Sequence, residues 1–151
     1  MTARSRLAEL GFELPKVATP LAAYVPAVRT GNLVYTSGQL PLVDGELTHI
    51  GKVGAEITPE DAKTAARTCA LNALAAVDAL VGLDAVVRVV KVVGFVASAP
   101  GFGGQPGVVN GASEFFGAVF GDAGAHARSA VGVSELPLNA PVEVELIVEV
   151  G

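Results

Sequence analysis

Residues 85–98 read AVVRVVKVVGFVAS, and whether this stretch is helix or strand decides the fold. Valine loses side-chain freedom against the preceding turn of a helix but packs well on a pleated surface, so the composition argues for extended chain. The valines fall on both parities, as in a strand covered on both faces, and the segment reads as the central strand of a sheet. Upstream, Thr58-Pro59-Glu60-Asp61 is a strong helix start: threonine caps, proline is tolerated in the first turn, and the acids meet the positive end of the helix dipole. Ala62, Ala65, Ala66, Cys69, Ala73, Leu74, Ala76, Val77 and Leu80 recur at three- and four-residue intervals until Gly82 offers a stop. Downstream, APGFGGQPG at 99–107 breaks regularity and leads into a second amphipathic helix carrying Val108, Ala112, Phe115, Phe116, Val119 and Phe120.

The flanks complete the order. Residues 1–19 read as a peripheral extension, with a short helix over Leu7, Leu10 and Phe12 and an extended or turning segment set by Pro15 and Pro20. Val25–Val28 and Leu33–Ser37, joined by Arg29-Thr30-Gly31-Asn32, read as a hairpin, and Leu40–Ala55 is rich in turn residues. Two last strands, Arg128–Val133 and Val142–Val150, flank the connection Leu136–Pro141. As a plain hairpin they would set Glu149 opposite Arg128 and leave Glu143 near the loop end, able to meet Arg128 only from an adjoining subunit. The sequence therefore predicts one α+β domain over residues 1–151, ordered ββαβαββ, with helices packed on one sheet.

Composition narrows the function. Hydrophobic residues make up 51% and charged residues 17% of the chain, so a lone monomer lacks polar groups to cover its surface and self-association is expected. Arg88 and Lys91 interrupt the longest valine-rich stretch, and no membrane partner is predicted. The N-terminal MTARSRLAELGFELP lacks the apolar core and cleavage site of a secretory signal, which points to the cytoplasm. A net charge of -5 opposes attraction to phosphates, so no nucleic-acid partner is predicted. Two histidines and one cysteine, not closely paired, assemble no familiar zinc arrangement, and no metal is predicted. Cys69, among small apolar helical neighbours, suits a buried thiol.

The chemistry concentrates in HARSAVGVSELP, residues 126–137. Strand alternation puts Arg128, Ala130 and Gly132 on one face, so a guanidinium lies beside two very small neighbours. Such a site either leaves room for a ligand carboxylate on the planar fork or pairs the arginine with a structural glutamate at a sheet edge. In VEVELIVEV the odd face carries Glu143, Glu145 and Glu149, by default a solvated face. Ser37 and Gly38, within Thr36-Ser37-Gly38-Gln39, offer ligand groups or ordinary turn chemistry. Tyr24 reads as a ligand contact or a half-buried aromatic, and Asn110 as a ligand contact or a backbone partner in the first turn of its helix. His126 reads as a general acid or base, or as a surface histidine in a glycine-rich turn. Ser113 lacks the GxSxG setting of a nucleophile.

GNLVYTSGQLP, VNGASEFF and HARSAVGVSELPLNAPVEVEL, with the order of elements, resemble the Rid family, also called YjgF/YER057c/UK114, over nearly everything from Pro20 to Val150. The resemblance implies a chorismate-mutase-like fold with two helices on one mixed sheet, assembled as a homotrimer with clefts between subunits. It implies hydrolytic deamination of reactive 2-imino or 2-enamino acids to 2-oxo acids and ammonia, with no cofactor. Arg128 then matches the arginine that holds the substrate carboxylate. Tyr24, Ser37, Asn110 and Glu143 match positions that line the cleft or orient water, with Glu143 beside Arg128 in the catalytic pair, and Gly38 and Ala130 adjoin them. Ala130 stands where many deaminase members carry cysteine, so thiol chemistry is not implied. The 99–107 loop and the extension resemble a less characterised branch. A non-catalytic trimer that binds or senses small carboxylates is the alternative, and the older family labels of endoribonuclease and translation inhibitor fit the acidic charge poorly.

Overall fold

The computed structural model describes residues 1–20 and 23–151. In chain order the elements are α1 (Ala3–Glu9), β1 (Ala27–Thr30), β2 (Leu33–Thr36), β3 (Leu42–Val43), β4 (Glu46–Leu47), α2 (Pro59–Val81), β5 (Val86–Ala97), α3 (Gln105–Phe120), β6 (Ala127–Val133) and β7 (Val142–Val150). The Thr58 hydroxyl accepts from the Asp61 amide at 3.1 Å and starts α2 as its sequence demands. Ala62, Ala65, Ala66, Cys69, Ala73, Leu74 and Val77 then form a fully buried stripe. By length and composition α2 would cross a bilayer, yet 56% of its apolar window is buried within the protein, which makes it the core helix. Gly111 of α3 lets the two helices approach, because a methyl group there would meet the Lys63 carbonyl oxygen.

Five strands form one mixed sheet in the order β1-β2-β7-β5-β6, while β3 and β4 make a small separate hairpin within the turn-rich segment. Val142, Val144, Leu146, Val148 and Val150 of β7 are all at most 1% exposed beneath the helices, as the alternation requires. Leu7 of α1 is also buried, and Phe12 stacks edge-on against Phe115 at 5.2 Å.

Two sequence expectations are corrected. The centre of the sheet is β7, and β5 lies beside it with helices on one face only. Register shifts between Val86 and Arg88 and between Val89 and Lys91 break the alternation, so Val89 and Val92 are both buried despite opposite parity. The last two strands do not form a hairpin: β5 lies between them, parallel to β6 and antiparallel to β7. The other sheet face has no helix over it and carries Val28, Tyr35 and Val131, each more than 40% exposed.

Candidate functional site

Arg128 lies on the edge strand β6 in register with Val92, whose side chain is buried beneath the helices, so the guanidinium shares the helix-facing side of the sheet. Its Nη1 donates to Asn110 Oδ1 at 2.7 Å and to Ser113 Oγ at 3.3 Å, two groups one turn apart on α3. Both partners are neutral. The ion pairs among the described residues, Arg4 with Asp78, Lys52 with Glu135 and Lys63 with Glu114, lie elsewhere, and Nε and Nη2 of Arg128 have no hydrogen-bond partner among the described residues. The structural-glutamate alternative is therefore not what the chain adopts. A half-buried cation is oriented without being neutralised, the condition for gripping an anion.

The small neighbours behave differently from one another. Ala130 packs against the core, whereas the space expected above Gly132 is filled by Gln105, whose Nε2 donates to Ser98 Oγ at 3.1 Å and to the Phe102 carbonyl at 2.8 Å. Room at this face is thus confined to the Arg128 end of the strand. His126, expected on the surface, is half-buried with Nε2 2.8 Å from Ser113 Oγ and its ring edge-on to Phe116. The sequence did not reveal Ser113 as a partner of Arg128, nor His126 as the partner of Ser113. The i, i+3 spacing from Asn110 and the i, i+2 spacing along the β6 approach were the signals that place them on the same sides.

A second group surrounds a cleft of about 230 Å³ lined by Tyr24, Pro26, Gly38, Gln39, Leu40 and Glu143. Glu143 sits on the helix-free face of β7, in register with Phe95. The Gln39 amide donates to the Val144 carbonyl at 2.8 Å, and the Val144 amide donates to the Gln39 carbonyl at 3.0 Å, which holds Gly38 against Glu143. Asn72, 4% exposed, donates from Nδ2 to the Leu40 and Leu42 carbonyls at 3.0 and 2.9 Å and fastens this wall to α2. The Ser37 hydroxyl donates to the Val25 carbonyl at 2.6 Å, so its hydrogen holds the turn and only its lone pairs face outward. Burial, and then the charge of Glu145, push the Glu143 carboxyl above the usual carboxylate range. Its carboxylate has no hydrogen-bond partner among the described residues.

Arg128 with Asn110 and Ser113 thus forms one cluster, with Ala130 two residues along β6, and Tyr24, Gly38 and Glu143 line another, on opposite faces of the sheet. Within one protomer the sheet keeps them apart. Among the described residues no group of three His, Cys, Asp or Glu side chains is placed to hold a metal ion.

The family model described as "YjgF/chorismate mutase-like, putative endoribonuclease" matches residues 4–150. The chain is 45% identical over 147 residues to protein TCP17 of Trypanosoma cruzi, covering 96% of this chain and 92% of that protein. It is 34% identical over 134 residues to the 2-iminobutanoate/2-iminopropanoate deaminase of Dermatophagoides farinae, covering 89% of this chain and 91% of that one. The crystal structure of Atu1372 from Agrobacterium tumefaciens superposes with a TM-score of 0.90 at 46% identity, covering 99% of this chain and 92% of that chain. With the ββαβαββ order of the main sheet and the two long helices upon it, and these matches along its length, the chain belongs to the YjgF/chorismate mutase-like (Rid) family.

Proposed function

We propose that the protein hydrolyses reactive 2-imino and 2-enamino acids to 2-oxo acids and ammonia, at clefts between the subunits of a homotrimer. The observation that carries this reading is Arg128, held in place by an amide and a hydroxyl with its charge left unpaired. The exposed apolar residues of the helix-free face, Val28, Tyr35 and Val131, are the surface that copies of the chain cover on assembly. Assembly brings Arg128 and Asn110 of one protomer opposite Tyr24, Gly38 and Glu143 of its neighbour, completing a site that neither chain holds alone.

The substrate carboxylate takes the guanidinium fork, which sets the imine carbon at a fixed distance from a water on Glu143. Glu143 accepts a proton as that water attacks the C=N carbon of the N-protonated imine, the form an enamine reaches by taking a proton on its β-carbon, giving a neutral carbinolamine. It then returns the proton to nitrogen; the C–N bond breaks, ammonia leaves, and the hydroxyl proton is lost as the C=O of the 2-oxo acid forms. Burial, which raises this carboxyl above the ordinary glutamate value, makes its conjugate base a better proton acceptor than an exposed carboxylate. Because an imine is already electrophilic, positioning with modest acid–base help suffices. The deaminase activity named for the Dermatophagoides relative supports this reading.

The test generates 2-iminopropanoate in situ and compares 2-oxo acid release by the wild type and by Arg128→Ala at equal assembly. Release should fall to the uncatalysed rate in the variant. Equal rates overturn the reading, and Arg128-dependent binding of pyruvate without turnover establishes the carboxylate-sensing alternative.

A further inference from the structure

We propose that Ser113 and His126 are positioning residues for Arg128, locking its Nη1 so that the Nε–Nη2 edge of the guanidinium is the one presented to a ligand carboxylate. The proposal rests on the reading of Arg128 as a carboxylate anchor and adds which edge it uses and what fixes it.

With the His126 imidazole neutral, the chain of hydrogen bonds runs in one direction. His126 Nδ1 lies 2.6 Å from the Gly124 carbonyl oxygen, which can only accept, so Nδ1 carries the proton. In the neutral ring Nε2 is then an acceptor, and the Ser113 hydroxyl 2.8 Å away must donate to it. That commitment turns the serine lone pairs toward Arg128, whose Nη1 donates to them at 3.3 Å. The anchor of the chain is rigid: Gly124 is buried, and a methyl group there would lie 2.5 Å from the Phe116 carbonyl oxygen, so its backbone is seated against the end of α3.

The consequence follows from counting donors. A guanidinium has five N–H groups, and both Nη1 hydrogens are used, one by Asn110 and one by Ser113. The Nε–H and the two Nη2–H remain, and the Nε–H and the Nη2–H beside it are parallel to one another and spaced to match the oxygens of a carboxylate. Rotation about the Nε–Cζ bond would exchange the two terminal nitrogens and break both Nη1 bonds, so the held state is also the pre-organised one.

Two measurements on the assembled protein separate this proposal from the reading beneath it. In ¹⁵N NMR without ligand, the Arg128 Nη1 and Nη2 signals should be resolved in the wild type. Their exchange should quicken about tenfold in Ser113→Ala and in His126→Phe, and return to the slow value in Ser113→Thr. In calorimetry with pyruvate as the probe, Ser113→Ala should weaken binding about tenfold and Ser113→Thr should restore it. Exchange in the wild type as fast as in Ser113→Ala overturns the proposal. So does pyruvate affinity unchanged by Ser113→Ala but lost in Arg128→Ala. Pyruvate affinity unchanged by Arg128→Ala instead overturns the carboxylate reading, whatever the NMR shows of the relay.

Discussion

Gly38 lies directly beneath Glu143: a methyl group built on Gly38 would fall on the Glu143 carboxylate. The colliding atoms are the far end of a flexible side chain, and Gly38 is not among the glycines with positive φ, so the backbone tolerates a Cβ. Gly38→Ala is therefore expected to fold and assemble with a melting temperature within a few degrees of wild type. The displaced carboxylate loses its water geometry, and 2-imino acid turnover should fall by about tenfold or more. Calorimetric melting and steady-state kinetics on the same preparation check both halves.

The burial of Glu143 has a consequence for stability against pH. Its carboxyl titrates above the ordinary glutamate value in the folded chain because burial, then Glu145, disfavour the charged form. The folded state therefore holds this proton more tightly than the unfolded state does. That contribution is fully present below the ordinary value and is lost as pH rises through the raised one. Glu143→Gln removes it, so the wild type should lose melting temperature relative to the variant across that interval. A difference between the two that does not change with pH contradicts the assignment.

Asn72 joins α2 to the wall of the Glu143 cleft through two carbonyls, those of Leu40 and Leu42. Asn72→Ala leaves both acceptors without this donor in a buried place and should cost about 1–3 kcal/mol by urea unfolding. The same change should speed amide exchange at Leu42, whose amide is bonded to the Leu40 carbonyl at 2.9 Å.

What the sequence made legible was local. The Thr58 cap and the small-residue stripe of α2 define a helix without reference to anything else, and β7 follows its alternation residue for residue. Strand partnership was not legible, because a connection of the length of Leu136–Pro141 serves a hairpin or a chain that passes to the far side of another strand. The bulges of β5 likewise hid which face its valines bury, since a shifted register makes both parities look alike. At the site, Arg128 stood out because a cation beside Ala130 and Gly132 needs a reason. Ser113 and His126 did not, because their meeting depends on how α3 lies over β6.

The most direct test of the shared cleft mixes two chains, one carrying Arg128→Ala and the other Glu143→Gln, each expected to be inactive alone. Unfolding and reassembling them in equal amounts gives random trimers, in which each mixed trimer holds one cleft with both native residues. About a quarter of the wild-type deaminase activity should return. No recovery, from mixtures shown by mass spectrometry to contain mixed trimers, would contradict a site built from Arg128 of one protomer and Glu143 of the next.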